Sequence, residues 1–302
     1  MSRRVLVLAH TGRMDAVHAA GSVRRGLIQE GLIPVMLADE LAELDAAQGA
    51  VPTEVLGDSP EDLDGIEVGM VLGGDGTILR AAEIVRESSV PLLGVNLGHV
   101  GFLAESERED LDLAVRRVAA GHYTVEERMT LDVQVYVDGS RTASTWAVNE
   151  ATVEKAGSQR MLEIVLEVDG QPLSTFGCDG VVLSTPTGST AYGFSAGGPV
   201  VWPAVEALLM VPLSAHALFS RPLVVAPTSV LAVELLQRTD GSGVLWCDGR
   251  RTVPLPPGAR VEVRRSDVPV RLARLSEGTF TERLVAKFQL PVTGWRGPES
   301  TT

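Results

Sequence analysis

Two hydrophobic grammars meet near residue 126, and they restrict the chain to two domains of different class. Upstream, short continuous apolar runs such as Val5-Leu-Val-Leu-Ala9, Val68-Gly-Met-Val-Leu72 and Val90-Pro-Leu-Leu-Gly-Val95 read as strands buried on both faces. Helical patterns alternate with them. One runs from about Asp15 to Glu30, with Ala16, Ala20, Val23 and Leu27 on one face and Gly31 as a stop. Others run from Ile78 to Glu87 and from Asp110 to Ala120, the last ending at Gly121. Strands alternating with helices predict a parallel sheet covered on both sides. Downstream the period becomes two. Leu131, Val133, Val135 and Val137 alternate with polar residues, as do Leu162, Ile164, Leu166 and Val168.

This second region reads as antiparallel and mostly β. Asp-Gly pairs at 138–139, 169–170, 179–180, 240–241 and 248–249 are hairpin candidates. Late strands are expected at Val261 to Arg264 and Val268 to Leu272. Phe280, Leu284 and Phe288 recur at helical spacing and predict one last packed helix, with a disordered tail from about Gly297. A length of 302 residues suits two domains. Beyond two Cys-Asp-Gly triplets there is no internal repeat.

Charge narrows the partners. The formal net charge is −13, so nothing on average attracts a nucleic acid or an anionic membrane. Lys155 and Lys287 are the only lysines, and no Gly-Lys-Ser/Thr occurs, which removes the lysine-bearing phosphate loop. The five histidines are scattered and the two cysteines, Cys178 and Cys247, form no CxxC, so no tightly held transition metal is expected. The apolar run after Arg4 is too short for a signal-peptide core, and no stretch approaches the ~18 apolar residues of a membrane span. A reduced cytoplasmic protein is expected.

Phosphate must therefore be handled without lysine. After the strand ending at Leu72 comes Gly73-Gly-Asp-Gly-Thr77, then a helix. Glycines allow close backbone approach, and a helix start offers unpaired N–H groups and a positive dipole end. An aspartate there repels an anion unless its carboxylate has a task, such as taking a proton or holding Mg²⁺. The plainer alternative is a tight turn with Asp75 as helix N-cap. A second stretch, Asp179 to Pro199, is dense in glycine and in hydroxyls: Ser184, Thr185, Thr187, Ser189, Thr190 and Ser195. They could meet sugar hydroxyls or phosphates, with Tyr192 as a flat face for a base, or they could form a surface loop. A third candidate is Asn149-Glu150, a polar pair amid the apolar Trp146 to Val153. Taken alone, a strand end explains it as well as a nucleoside site does.

Together the three segments resemble the NAD kinase family. Gly73 to Thr77, Asn149-Glu150 and Thr185-Pro-Thr-Gly-Ser-Thr-Ala-Tyr192 stand in that family's order and at about its spacing. Asn96-Leu-Gly-His-Val-Gly-Phe-Leu103 matches a further family segment, and the resemblance covers about Val5 to Phe288. It implies an α/β N-terminal domain with a parallel, Rossmann-like sheet over 1–125, joined by a C-terminal helix within 275–302. An antiparallel β-sandwich, the NAD-binding domain, would span 126–274. It implies transfer of a phosphoryl group from ATP, or from polyphosphate, to the adenosine-ribose 2′-hydroxyl of NAD. Mg²⁺ would accompany ATP, and the chain would form a homodimer or homotetramer.

By motif, Asp75 would be the general base and a contact of the NAD substrate, which Gly76 would approach through its backbone, with Gly73, Gly74, Gly76 and Thr77 at the phosphates. Asn149 and Glu150 would hold the adenosine, and Asp179 the nicotinamide-ribose half. Thr190, Ala191, Tyr192, Gly193, Phe194 and Ser195 would line the NAD site. Arg80 and Arg160 would contact anions, and no residue is expected to be a dedicated metal ligand. A lipid kinase sharing the glycine loop would want a basic, membrane-seeking face, which the acidic balance denies it. A dinucleotide sensor would have no need of the Asp75 carboxylate.

Overall fold

The computed structural model describes residues 3–98, 101–104, 106–107, 110–157, 161–239, 241–275 and 278–292. Arg160, Asp240 and the tail from Gly297 lie outside them. The chain divides into two compact units, Met1–Glu127 with Val270–Thr302, and Arg128–Pro269.

The first unit runs β1 (Arg4–Ala9), α1 (Met14–Gln29), β2 (Ile33–Met36), α2 (Ala38–Gln48), β3 (Glu54–Val55), β4 (Ile66–Leu72), α3 (Asp75–Ile84), β5 (Leu92–Asn96), β6 (Ser106–Glu107), α4 (Leu111–Ala120) and β7 (Thr124–Arg128). It resumes at the chain's end with β20 (Val270–Arg274) and α6 (Phe280–Phe288). The sheet order is β3-β2-β1-β4-β5-β20-β7, with β6 on β5. The ladders of β1 with β2 and β4, of β2 with β3, and of β4 with β5 are parallel. The order 3-2-1-4-5 is the doubly wound one, which places ligands beyond the carboxyl ends of the strands where the winding reverses, beside β1 and β4. Val5, Leu6, Val7, Val68, Met70 and Leu72 are fully buried, as two-sided burial requires.

Three expectations change here. The helix after the glycine loop starts three residues earlier, at Asp75, with Gly74 rather than Asp75 as its N-cap. The strand expected at Val268 to Leu272 is β20, which pairs in parallel with β5 through Leu272 and Leu92. The second unit therefore ends at Pro269, short of 274. Burial explains the switch: Val270, Leu272, Ala273 and Arg274 are all buried, as suits a strand inside a covered sheet and not a one-sided one. The last helix is the short α6, whose Thr279 and Glu282 form a reciprocal cap.

The second unit runs β8 (Leu131–Val137), β9 (Ser140–Ala147), β10 (Glu150–Lys155), β11 (Leu162–Val168), β12 (Gln171–Cys178), β13 (Gly180–Ser184), α5 (Tyr192–Ser195), β14 (Leu208–Leu213), β15 (Leu223–Val225), β16 (Leu231–Leu235), β17 (Gly243–Cys247), β18 (Arg251–Leu255) and β19 (Arg260–Arg265). Two antiparallel sheets result, β15-β14-β13-β10-β17-β18 and β12-β11-β16-β19-β8-β9. Their inward residues, among them Leu131, Val133, Val153, Ile164, Leu183, Met210 and Val261, form one core, so the unit is a β-sandwich.

Asp138-Gly139 and Asp169-Gly170 both take positive φ and close two-residue hairpins, and Asp248-Gly249 turns β17 into β18. Asp179-Gly180 is no hairpin: it carries the chain from β12 in one sheet to β13 in the other. β13 is buried along its whole length and ends in the hydroxyl-rich stretch.

Candidate functional site

In the first unit the glycine loop leaves β4 at the carboxyl end of the sheet. Gly73 N donates to Val95 O at 3.0 Å, tying the loop to β5. At Gly73 a Cβ would collide with Thr77 Oγ1 at 2.3 Å, so packing alone asks for glycine there. Gly74 and Gly76 differ. Neither has a positive φ, and a Cβ on either would meet nothing within 4 Å. Among the described residues nothing explains these two glycines, whereas a ligand lying against the loop would.

Asp75 opens α3, but its carboxylate serves no cap. Oδ2 accepts from Phe102 N and Oδ1 from Leu103 N, each at 3.1 Å. Arg80, one turn further, pairs with Glu40 of α2 at 2.6 Å. The Glu40 side chain is 2% exposed and also accepts from Ala9 N at 2.9 Å, at the end of β1. Burial, set against these donors, raises its pKa.

In the second unit Asn149 and Glu150 stand at the start of β10, 8% and 7% exposed. Their backbone is gathered by Asp248, whose carboxylate accepts from Val148 N, Asn149 N and Glu150 N. Arg251 pairs with that carboxylate at 2.8 Å and lies 4.3 Å over the Trp146 ring. The hydroxyl-rich stretch is fastened to the same place. Thr185 Oγ1 donates to Val148 O at 2.7 Å, and Ser184 Oγ to Asn149 O at 3.2 Å. Gly188 passes so close that a Cβ would sit 2.1 Å from Asn149 O. Ser189 Oγ donates to Pro186 O and accepts from Val201 N. Three of the six hydroxyls read as ligand contacts, Ser184, Thr185 and Ser189, are therefore buried and committed to the protein's own backbone. Local satisfaction of a tight turn explains them.

Glu150 is the electrostatic outlier. Burial first, then the negative charge of Asp248, pushes its pKa up to about 8 against a backbone donor from Tyr192. Its Oε2 is buried and has no hydrogen-bond partner among the described residues. Nearby, a cavity of about 520 Å³ is lined by Glu154, Lys155, Asp179, Tyr192, Ser195 and Ser214, among others. Lys155 Nζ meets Asp179 Oδ1 at 2.5 Å and holds that carboxyl below its usual range.

The structure thus brings Asp179, Tyr192 and Ser195 to one cavity. Asn149, Glu150 and Thr185 meet at one junction. Thr190 Oγ1 donates to Thr187 O; Ala191 is half-buried, Gly193 buried and Phe194 exposed. Glu40, Lys155, Asp248 and Arg251 escaped the sequence reading. Both Cys-Asp-Gly triplets supply an aspartate here, Asp179 and Asp248, so the repeat was the available signal. Among the described residues no group of three or more His, Cys, Asp or Glu side chains is gathered for a metal, and no helix is long and apolar enough to cross a membrane.

The fold is thus a doubly wound unit bearing a glycine loop together with a β-sandwich unit bearing a polar cavity. Two solved structures share it. A yeast NADH kinase complexed with NADH is 22% identical, with a TM-score of 0.86 over 97% of this chain and 89% of that one. An Archaeoglobus fulgidus NAD kinase in complex with ATP is also 22% identical, with a TM-score of 0.72 over 95% and 98%. Residues 23–123 match the model of the ATP-NAD kinase N-terminal domain and 148–275 that of the C-terminal domain. The NAD kinase of Leifsonia xyli subsp. xyli is 63% identical across 98% of both chains, and NAD kinase 2 of Streptomyces coelicolor is 62% identical across 98% of this chain and 97% of its own. The chain belongs to the ATP-NAD kinase family.

Proposed function

We propose that this chain is a phosphotransferase that moves the γ-phosphoryl group of ATP to the adenosine-ribose 2′-hydroxyl of NAD, making NADP. Its family membership supports the activity. The observation that carries the chemistry is the Asp75 carboxylate, fixed by two backbone amides in a loop whose Gly74 and Gly76 leave open space.

Phosphoryl transfer asks mainly for positioning and charge neutralisation, with a base for the attacking hydroxyl. Asp75 is the base in this reading: one carboxylate oxygen takes the 2′-hydroxyl proton as the oxygen attacks the γ-phosphorus and ADP leaves. The main-chain N–H groups of Gly74 to Gly76 and the α3 dipole hold the phosphates, with Gly73 and Thr77 shaping the loop through their own backbone bonds to Val95 O and Gly74 O. Mg²⁺ enters as part of MgATP, since Mg²⁺ commonly rides on substrate phosphates with few protein ligands.

The NAD molecule is assigned to Asn149, Glu150, Asp179, Thr190 and Tyr192, with Ser195 beside them. Glu150 acts there as a neutral acid that donates from Oε2. A buried carboxyl without a donor beside that oxygen is better used as an O–H than as an anion. Arg80 serves as an anion contact held by Glu40.

Homo-oligomerisation is supported by the exposed apolar side chains Phe194, Trp202, Val205, Leu218 and Phe219 of the second unit. A cytoplasmic home is supported by two free, buried cysteines. The test is purified protein with NAD or NADH, Mg²⁺, and either ATP or inorganic polyphosphate, followed by NADP-specific coupled detection. NADP formed with ATP is the expected result. NAD binding without product from any donor would mean a sensor and not an enzyme.

A further inference from the structure

The Asp75 carboxylate rests on a segment that has no sheet ladder of its own. Phe102 N and Leu103 N hold its two oxygens, and Gly101 comes so near that a Cβ there would lie 2.4 Å from Oδ1. Residues 101–104 lie outside every strand and helix, so something else must fix them. Two supports arrive from the far end of the chain. Arg274 of β20, 6% exposed, donates Nη1 to Leu103 O at 3.1 Å, while its Nε pairs with Glu126 at 2.9 Å. The Phe102 ring, 7% exposed, packs on Phe280 and Phe288 of α6, with ring centroids 5.7 and 6.0 Å apart. α6 buries no residue fully, so it is a peripheral helix with a small share in the unit's core.

We infer that Arg274 and the Phe280–Phe288 face of α6 are positioning residues for the reaction: they hold the Phe102–Leu103 peptide, and through it the orientation of the Asp75 carboxylate. The inference rests on the reading of Asp75 as the base. A shift of the 101–103 backbone by a fraction of an ångström carries both amide donors with it, Phe102 N in one peptide and Leu103 N in the next. The carboxylate then leaves the line to the hydroxyl while the rest of the fold stays in place. Phe102 is gripped from one side and Leu103 from the other, so both supports act on the two amides that touch Asp75. α6 is the cheaper of the two to disturb, because little of the unit's stability depends on it.

The experiment compares Phe288→Ala, Phe288→Leu and Gly101→Ala in the full chain, each alone and combined with Asp75→Asn. It reads kcat, the KM values for NAD and ATP, and the thermal midpoint. Phe288→Ala is expected to lower kcat on the order of 10-fold or more, because misplacement remote from the chemistry is that costly, with both KM values nearly unchanged. Phe288→Leu, which keeps an apolar filler against Phe102, should recover most of that loss. Gly101→Ala presses on the carboxylate itself, the movable end of a side chain, and should reproduce the kcat loss with little change in the midpoint. In the Asp75→Asn background neither Phe288→Ala nor Gly101→Ala should lower the residual turnover further, since both act through the missing carboxylate. Unchanged kcat in Phe288→Ala overturns the inference whatever Gly101→Ala does, as does a full multiplicative loss in the Asp75→Asn background. Near-normal kcat in Asp75→Asn alone is a separate result: it removes the base assignment itself, and the inference with it.

Discussion

Asp248 lies beneath Asn149: its carboxylate Oδ1 accepts the Asn149 amide at 2.7 Å, and the same group also takes the amides of Val148 and Glu150. A side chain nearly 100 residues downstream thereby sets the backbone of the polar pair assigned to NAD. Burial raises the Asp248 pKa, and the three amides with Arg251 oppose that rise. Asp248→Ala would orphan the amides and take away Arg251's carboxylate. The expected cost is about 3–5 kcal/mol, the range for breaking a buried ion pair by removing one partner. Asp248→Asn, which still accepts hydrogen bonds, should cost less. Urea titration reads the stability and calorimetry reads NAD affinity. A loss below 1 kcal/mol in the alanine variant would show that the amides find other partners.

Glu150 predicts a pH dependence of stability. Its folded pKa is raised to about 8 from an ordinary glutamate value. The folded state therefore binds a proton that the unfolded chain has already released between roughly pH 4.3 and 8. This contribution is fully present below the unfolded pKa and is lost as pH rises through the folded one. Stability should fall across that window by a few kcal/mol at most. Glu150→Gln keeps the shape and removes the titration. Its unfolding free energy should depend less on pH from 5 to 8, with a residual slope of the same sign from Asp248 and Glu40, which are raised too. Chemical denaturation at several pH values settles it; parallel profiles for the two proteins would reject the protonated form.

Lys155 and Asp179 form a half-exposed pair at the cavity wall, 28% and 38% exposed. Such pairs contribute about 0–1 kcal/mol, so Lys155→Met should leave the thermal midpoint almost unmoved. Function should respond. The variant frees Asp179 from its partner and leaves Glu154 and Asp179 as the charges on that wall, which disfavours a dinucleotide carrying its own negative charge. KM for NAD should rise several-fold while kcat changes little. An unchanged KM in steady-state assays would remove Lys155 from the binding surface.

How much of this was legible beforehand depends on whether the signal was local. β1, β4, β8 and β11 follow from runs and alternations, because burial on one or two faces writes itself directly into period. The Asp138-Gly139 hairpin follows because its two-residue turn needs positive φ at both positions. The glycine loop was legible for a different local reason, which Gly73 shows: packing against Thr77, four residues on, excludes a side chain. What escaped is non-local. β20 looks like one more strand of the sandwich until its partner in the other unit's sheet is known. Ser184, Thr185 and Ser189 look like ligand contacts until the carbonyls they reach are known. Asp248 works through main-chain amides, and no side-chain pattern announces that.

Asp75→Asn is the sharpest test of the proposed chemistry, and the structure adds a consequence beyond lost basicity. Both carboxylate oxygens accept a backbone amide, from Phe102 and Leu103. An asparagine has a single acceptor oxygen, so its NH₂ must face one of those N–H donors. Leaving that donor unsatisfied costs about 1–3 kcal/mol, and a modest drop in thermal midpoint should accompany the substitution. NAD affinity should change little, because asparagine keeps the size and polarity of the group that meets the 2′-hydroxyl and most of the residues assigned to NAD are untouched. Turnover should fall by about 10²–10⁴-fold, the range for removing a positioned general base. Initial rates of NADP formation alongside calorimetric NAD binding check both halves. Retained binding with lost turnover assigns Asp75 to the chemical step, whereas binding and turnover lost together assign it to holding the substrate.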